Sequence, residues 1–396
     1  MKILTALLSV LFASTSFSQT LQNDNGWRPA WGLDRIDQRE AELNDTYNYT
    51  LTGAGVSVYV FDSGINSSHE EFTGRIEPGF NVINDAYGTE DCSGHGSHTA
   101  SLIGGTTYGV AKQVKLIPVR VLNCRSGNTS SATLYTAVNW VIEHHQTGVP
   151  AIINLSVGMS KSIAFNEAAQ ALIADGLIVV GAAGNQNRDA CLYSPASEPS
   201  VISVGGIDRA ALRASYSNYG SCVDIFAPGS DLVGAWFGST DVYRSSSGTS
   251  NAAPIVSGIV ALMLQDNPSL TQSQVEERLK TNATRDVLFN IGSGSQNLLA
   301  YSLFDSSSPA PTTTVPVTTT TIPVTTTTTP AVVITTTTVA PRPTTRMPIL
   351  KSTRPTIPLP ADMTCTNAGA RIYFYNVPYV CSSGRWLLGA YSPGRP

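Results

Sequence analysis

Charge is scarce in this 396-residue chain. Only 13% of its residues are charged, with Lys+Arg 24 against Asp+Glu 28 and a formal net charge of −4. That leaves no basic stripe for nucleic acid and no polybasic patch for an anionic membrane. Past the N-terminal segment, no apolar run approaches the roughly 20 residues that a membrane-spanning helix needs. Cysteines at CxxC spacing and histidines at HxxxH spacing are both missing. The six cysteines therefore do not read as a zinc site.

The longest hydrophobic length sits at the N-terminus. Lys2 precedes ILTALLSVLFA, and the small residues Ser16 and Ser18 suit cleavage before Gln19. Residues 1–18 thus read as a signal peptide. In an exported chain, six cysteines imply three disulfides. Pairing neighbours in sequence gives Cys92 with Cys124, Cys191 with Cys222 and Cys365 with Cys381, the simplest of the possible connectivities.

Residues 19–305 carry the pattern of a folded unit. GVSVYVFDSGI (55–65), KLIPVRVL (115–122), AIINLSVG (151–158), LIVVGAAGN (177–185) and VISVGGI (201–207) are apolar runs of strand length. Helical patterns lie between them: SHTASLIGG after His95, SATLYTAVNWVIEHHQ (131–146) and NEAAQALIADG (166–176). Alternation of this kind means an α/β fold, a parallel sheet with helices on both faces. WGLDRIDQRE reads as a short helix, and TQSQVEERLKTNA (271–283) as an amphipathic surface helix. Residues 306–362 are dominated by Thr and Pro and can bury no core, so they read as an extended stalk. Residues 363–396 regain aromatics inside one Cys365–Cys381 loop, a small disulfide-stapled β module. Tyr373, Phe374, Tyr375, Tyr379 and Trp386 form either that module's core or a surface for a glycan or matrix.

The chemistry gathers at Gly248-Thr249-Ser250-Asn251. The following run, IVSGIVALML, is apolar all round and so belongs to a buried helix. Ser250 stands at that helix's N-terminus, where backbone N–H groups are free and the dipole favours negative charge. Asp62 ends the first apolar strand. His95 opens a helix between two glycines, read as leaving room for a substrate, and Asn185 ends another strand. Strand C-termini of a parallel sheet share one edge. An acid, an imidazole, a hydroxyl and an amide therefore converge there, the set that acyl transfer requires. His98, one turn from His95, reads as a packed structural residue; His69, His144 and His145 read as surface histidines.

These residues sit in VFDSGI, GHGSHTA, TYGVAKQVKLIPVRVL, VVGAAGN, YSPASEP, ASYSNYGSCVDIFAPG and SSGTSNAAP. Together the motifs resemble the subtilisin-type serine peptidases, in the proteinase K branch and closest in pattern to its aqualysin-like members, from WGLDRIDQRE (31–40) to NLLAYSLF (297–304). The Asp…His…Ser order is that of subtilisin. The resemblance implies a seven-stranded parallel sheet and a secreted endopeptidase that is a monomer acting on protein or peptide substrates. It puts the triad on Asp62, His95 and Ser250 and the oxyanion amide on Asn185. Ser156-Val157-Gly158 falls on the edge that pairs with substrate, and Ala182-Ala183-Gly184 on a wall of the S1 pocket. Small apolar walls there imply a broad preference for apolar or aromatic P1 residues. The resemblance supports the Cys92–Cys124 and Cys191–Cys222 pairs. It also implies a structural Ca2+ held by the carbonyls of Pro199 and Val201 and by Asp224, hard oxygen donors that suit that ion.

The chain also departs from the pattern. GTSNAAPIV stands for GTSMATPHV, so Asn251 needs a partner if buried. SVGM stands for SLGG, so Met159 narrows the S2–S4 part of the substrate cleft, and GHGSHTA stands for GHGTHVA. Secreted members carry a propeptide, whereas only about a dozen residues separate Gln19 from the domain start, far short of a foldable domain. Either the sequence is truncated there, or the enzyme folds without that segment, or activity was not retained; poor folding yield is the first defect expected from its loss. The missing propeptide and Met159 leave a second reading, a catalytically weak binding protein attached to a matrix or glycan. Asn48, Asn66, Asn128, Asn282 and Asn44 head N-x-S/T sequons on expected surface loops, while Asn154 falls in a buried strand.

Overall fold

The computed structural model describes residues 16–21, 30–124 and 127–304, together with the backbone of Arg371–Phe374, Val377–Ser382 and Arg385–Leu388. Its centre is one nine-stranded sheet. In chain order the strands are β1 (Ser57–Asp62), β2 (Phe80–Asn81), β3 (Lys115–Arg120), β4 (Ala151–Leu155), β5 (Ile178–Ala182), β6 (Ile202–Ile207), β7 (Ile225–Pro228), β8 (Thr284–Arg285) and β9 (Leu298–Leu299). Across the sheet the order is β8-β9-β7-β6-β5-β4-β1-β3-β2.

The expected parallel run of seven, β1 to β7, is present. Two strands of two residues lengthen one edge: β9 joins β7 in parallel, and β8 joins β9 antiparallel. Strands that short carry too few residues for a period-two pattern to register.

Among the described residues six α-helices accompany the sheet: α1 (Trp31–Ile36), α2 (His95–Gly104), α3 (Ser131–His144), α4 (Ile163–Ala174), α5 (Thr249–Asp266) and α6 (Gln272–Asn282). Successive strand side chains point to opposite faces, and the strands are apolar on both. Val58, Val60, Ile152 and Val180 pack into one core with Ile103 of α2 and Ile255 and Ile259 of α5. Tyr59, Phe61, Ile153 and Val179 pack into the other with Val138 of α3 and Phe165 and Leu172 of α4. Truncating a wholly buried residue such as Ile259 to alanine would cost about 2–5 kcal/mol.

β1 is the switch point of this topology, with β3 on one side and β4 on the other. In open α/β sheets the crevice beyond the strand carboxyl ends at such a point is where ligands bind. Asp62 ends β1 and Ser156 follows β4, so both stand at that crevice.

Cys92–Cys124 and Cys191–Cys222 are bonded. The Cys365–Cys381 pair, the stalk and the side chains of the C-terminal module lie outside the described residues. Phe17–Thr20, which straddles the expected cleavage point, pairs antiparallel with Thr46–Tyr49. Among the described residues no helix is long and apolar enough to cross a membrane.

Candidate active site

Asp62 is fully buried, and its carboxylate grips the His95 ring, with Nδ1 at 2.7 Å and 2.9 Å from the two oxygens. The Ser63 N–H at 2.7 Å and the Thr99 hydroxyl at 3.2 Å also donate to it. One third of the His95 side chain opens to the cleft. Burial works against the imidazolium, but the charge and hydrogen bond of Asp62, with Asp91 behind, outweigh it; His95 is held above the ordinary histidine value.

Asp91 is a functional residue that the sequence reading missed. One of its oxygens accepts the Ser93 and Gly94 N–H groups, both at 2.9 Å, and the other accepts the Ser97 N–H at 2.8 Å. It thereby caps α2, the helix that carries His95. The signal was an acid four residues before His95. The glycines beside His95 serve packing rather than substrate access. A Cβ on Gly94 would meet the Trp236 ring at 2.1 Å, and one on Gly96 would meet the Gly64 carbonyl at 2.0 Å.

Ser250 is the second residue of α5. Among the described residues its N–H has no hydrogen-bond partner, as expected of a helix's first turn. Asn185 Oδ1 accepts the Thr249 N–H at 2.8 Å and the Thr249 hydroxyl at 2.9 Å, which fixes the amide and turns Nδ2 away from Thr249. A methyl group on Gly248 would stand 2.9 Å from Ser250 Oγ and 3.4 Å from Asn185 Nδ2. The hydroxyl and the amide donor therefore flank one small space. No hydrogen bond joins Ser250 Oγ to the His95 ring among the described residues, though both line the same cleft. Catalytic contacts are often long without substrate and tighten around it.

Pro254 lies in the first turns of α5 and has no N–H, so the carbonyl four residues back, that of Ser250, loses its helical partner. The Ser156 hydroxyl donates to that carbonyl at 2.9 Å. Asn154 Nδ2 donates to Ser156 Oγ, and Ser257 Oγ donates to Asn154 Oδ1, each at 2.9 Å. The segment after β4 is thus bolted to the helix of Ser250.

The cleft holds about 550 Å³. Ser156, Val157, Gly158, Ala182 and Gly184 line it as expected. Ala183 does not; it is buried, and its carbonyl accepts Asn218 Nδ2 at 2.8 Å. The sequence reading missed Leu122, Asn128, Thr129 and Tyr193, which also line the cleft, as does Met159. Tyr193-Ser194 pairs with Met159-Ser160 as a short antiparallel ladder.

Two expectations about surface residues fail. His69 is buried, with Nε2 3.0 Å from the Val242 carbonyl and Nδ1 accepting the Glu71 N–H. Asn66 is also buried, and its Nδ2 donates to the carbonyls of Trp236 and Ser239, so that sequon is closed. His98 and Asn154 are buried as expected.

The residues expected to hold Ca2+ do not fit the ion as they stand. Asp224 Oδ1 is 2.7 Å from Lys280 Nζ, and Oδ2 accepts the Ser203 N–H at 2.8 Å. The one carboxylate of the set already carries an ammonium, whereas Ca2+ needs six to eight oxygen ligands around it.

Comparison with known proteins places this architecture. The extracellular serine proteinase of Thermus sp. (strain Rt41A) is 50% identical over 274 residues, 69% of this chain and 66% of that protein. The alkaline serine exoprotease A of Vibrio alginolyticus is 44% identical over 276 residues, 70% of this chain and 51% of that protein. The chain therefore spans between half and two thirds of the length of these two curated relatives. The crystal structure of a cold-adapted subtilisin-like serine proteinase superposes with a TM-score of 0.67 at 44% identity, covering 69% of this chain and 98% of that one. Residues 53–302 match peptidase S8, the subtilase family, and the chain belongs to that family.

Proposed function

We propose that this chain is a secreted serine endopeptidase that cleaves proteins through an acyl-enzyme. The observation that carries this reading is the shared space between Ser250 Oγ and Asn185 Nδ2, set beside an imidazole held by a buried carboxylate. His95 takes the Ser250 proton as Oγ attacks the scissile carbonyl carbon. The carbonyl electron pair moves onto oxygen, where the Asn185 amide and the Ser250 N–H receive it. His95 then gives its proton to the departing amine as the C–N bond breaks, leaving an ester on Ser250. Water repeats the sequence and releases the acid. Asp62 keeps the ring oriented and stabilises its cation. Secretion is supported by the N-terminal leader pattern and by the names of extracellular relatives.

Substrate would add as a strand to Ser156-Val157-Gly158, with backbone hydrogen bonds supplying affinity. Ala182, Gly184 and Tyr193 border a space for an apolar or aromatic P1 side chain, and Met159 narrows the cleft at S2–S4. A fluorophosphonate probe tests the reading on the secreted full chain. Labelling, and cleavage of apolar-P1 peptides, should both disappear in Ser250→Ala. Persistence of either in that variant overturns it.

A further inference from the structure

The disagreement at Asp224 points to a substitution of one cation for another. Lys280 projects from α6, and its ammonium lies 2.7 Å from Asp224 Oδ1 and 2.5 Å from Glu276 Oε1. Glu276 is one turn before it on the same helix, the favourable order for such a pair. The three side chains are mostly shielded, with 25%, 17% and 24% of Lys280, Asp224 and Glu276 exposed.

The helix is held in place independently. Thr271 and Gln274 cap its start reciprocally. Gln272 Nε2 donates to the carbonyls of Val179, at 3.1 Å, and Ser200, at 2.7 Å, while its Oε1 accepts the Val179 N–H at 2.8 Å. Ser200 lies between Pro199 and Val201, the two residues whose carbonyls complete the expected metal set. The same helix thus docks on the turn and sends a cation to its carboxylate.

We propose that the Lys280 ammonium is the resident cation of the Pro199–Val201–Asp224 site, so that this turn is held without Ca2+. A divalent ion would need the same carboxylate and would meet the ammonium at contact distance. Lysine cannot be removed by a chelator, so the turn stays closed whatever the ambient calcium. The inference does not depend on the catalytic reading, because its test requires no activity.

The test uses the full chain carrying Ser250→Ala, so that self-digestion does not intrude. Bound calcium is counted by equilibrium dialysis, and melting midpoints are compared in calcium and in EDTA. In the parent, Asp224→Asn should leave the calcium count unchanged. Lys280→Met should bind one further Ca2+ per chain and gain a calcium-dependent rise in midpoint of about 5 °C. Adding Asp224→Asn to Lys280→Met should abolish both. Lys280→Gln serves if the methionine variant does not fold. The proposal is overturned if the Lys280 variant binds no more Ca2+ than the parent, or if Asp224→Asn removes one Ca2+ from the parent.

Discussion

The hydroxyl of Ser156 donates to the carbonyl of Ser250 at 2.9 Å. The acceptor is free because Pro254 has no N–H to fill it. One residue of the proposed substrate edge is therefore tied to the backbone of the proposed nucleophile. Ser156→Ala would leave that carbonyl and the Asn154 amide unpaired in a buried place, at a cost of about 1–3 kcal/mol. Chemical denaturation should show the lower stability, and kcat should fall with it. Unchanged stability would mean that the bond carries no weight.

The acid limb of activity follows from His95. A base must be neutral to accept the Ser250 proton, and Asp62 raises the imidazole value above the ordinary 6.5. Activity should therefore climb as pH rises through a midpoint above 6.5 and be small below it. Stability runs the opposite way: the His95–Asp62 pair contributes fully below the unfolded value of 6.5 and is lost as pH rises through the raised folded value. A profile of kcat/KM against pH locates the limb; a midpoint below 6.5 contradicts this account.

In the proposed mechanism the Asn185 amide donates to the charge that develops during reaction. Replacing it with leucine should lower kcat by about 100- to 1000-fold and leave KM nearly unchanged. Steady-state kinetics on a peptide substrate separate the two constants. A rise confined to KM would assign the amide to ground-state binding instead.

Asn251 is almost fully buried, and its amide faces His98 without reaching good hydrogen-bond geometry to any partner among the described residues. Such a group costs about 1–3 kcal/mol relative to an apolar one of similar volume. Asn251→Met should raise the melting temperature, since methionine adapts to the space and brings no unmet polar atom. Calorimetry on the Ser250→Ala background checks it. A lower midpoint would show that the amide is satisfied in solution.

Much of the site was legible before the fold was. Asp62, Ser156 and Asn185 follow apolar runs whose length and composition mark parallel strands, and parallel strands bring their ends to one rim. The buried helix behind Ser250 was equally plain from its unbroken apolar character. What stayed hidden depends on contacts between distant segments. Nothing local in Asn66-Ser67-Ser68 shows that the amide is spent on Trp236 and Ser239. His69 reads as polar until Val242 and Glu71 close over it. Asn128 and Thr129 face the cleft from a stretch with no periodicity, held near His95 by the Cys92–Cys124 bond. The pairing of Lys280 with Asp224, 56 residues away, has no sequence signature at all.

The packing of Trp236 has an optical consequence. Its ring rests on Gly94 at the head of α2, one residue before His95, and the Arg244 guanidinium lies over it, 4.9 Å from the ring centre. Indole emission responds to nearby charge and to solvent. This tryptophan is therefore a native fluorophore packed against the residue before His95, and its emission would report a shift of the start of α2 in real time without an added label.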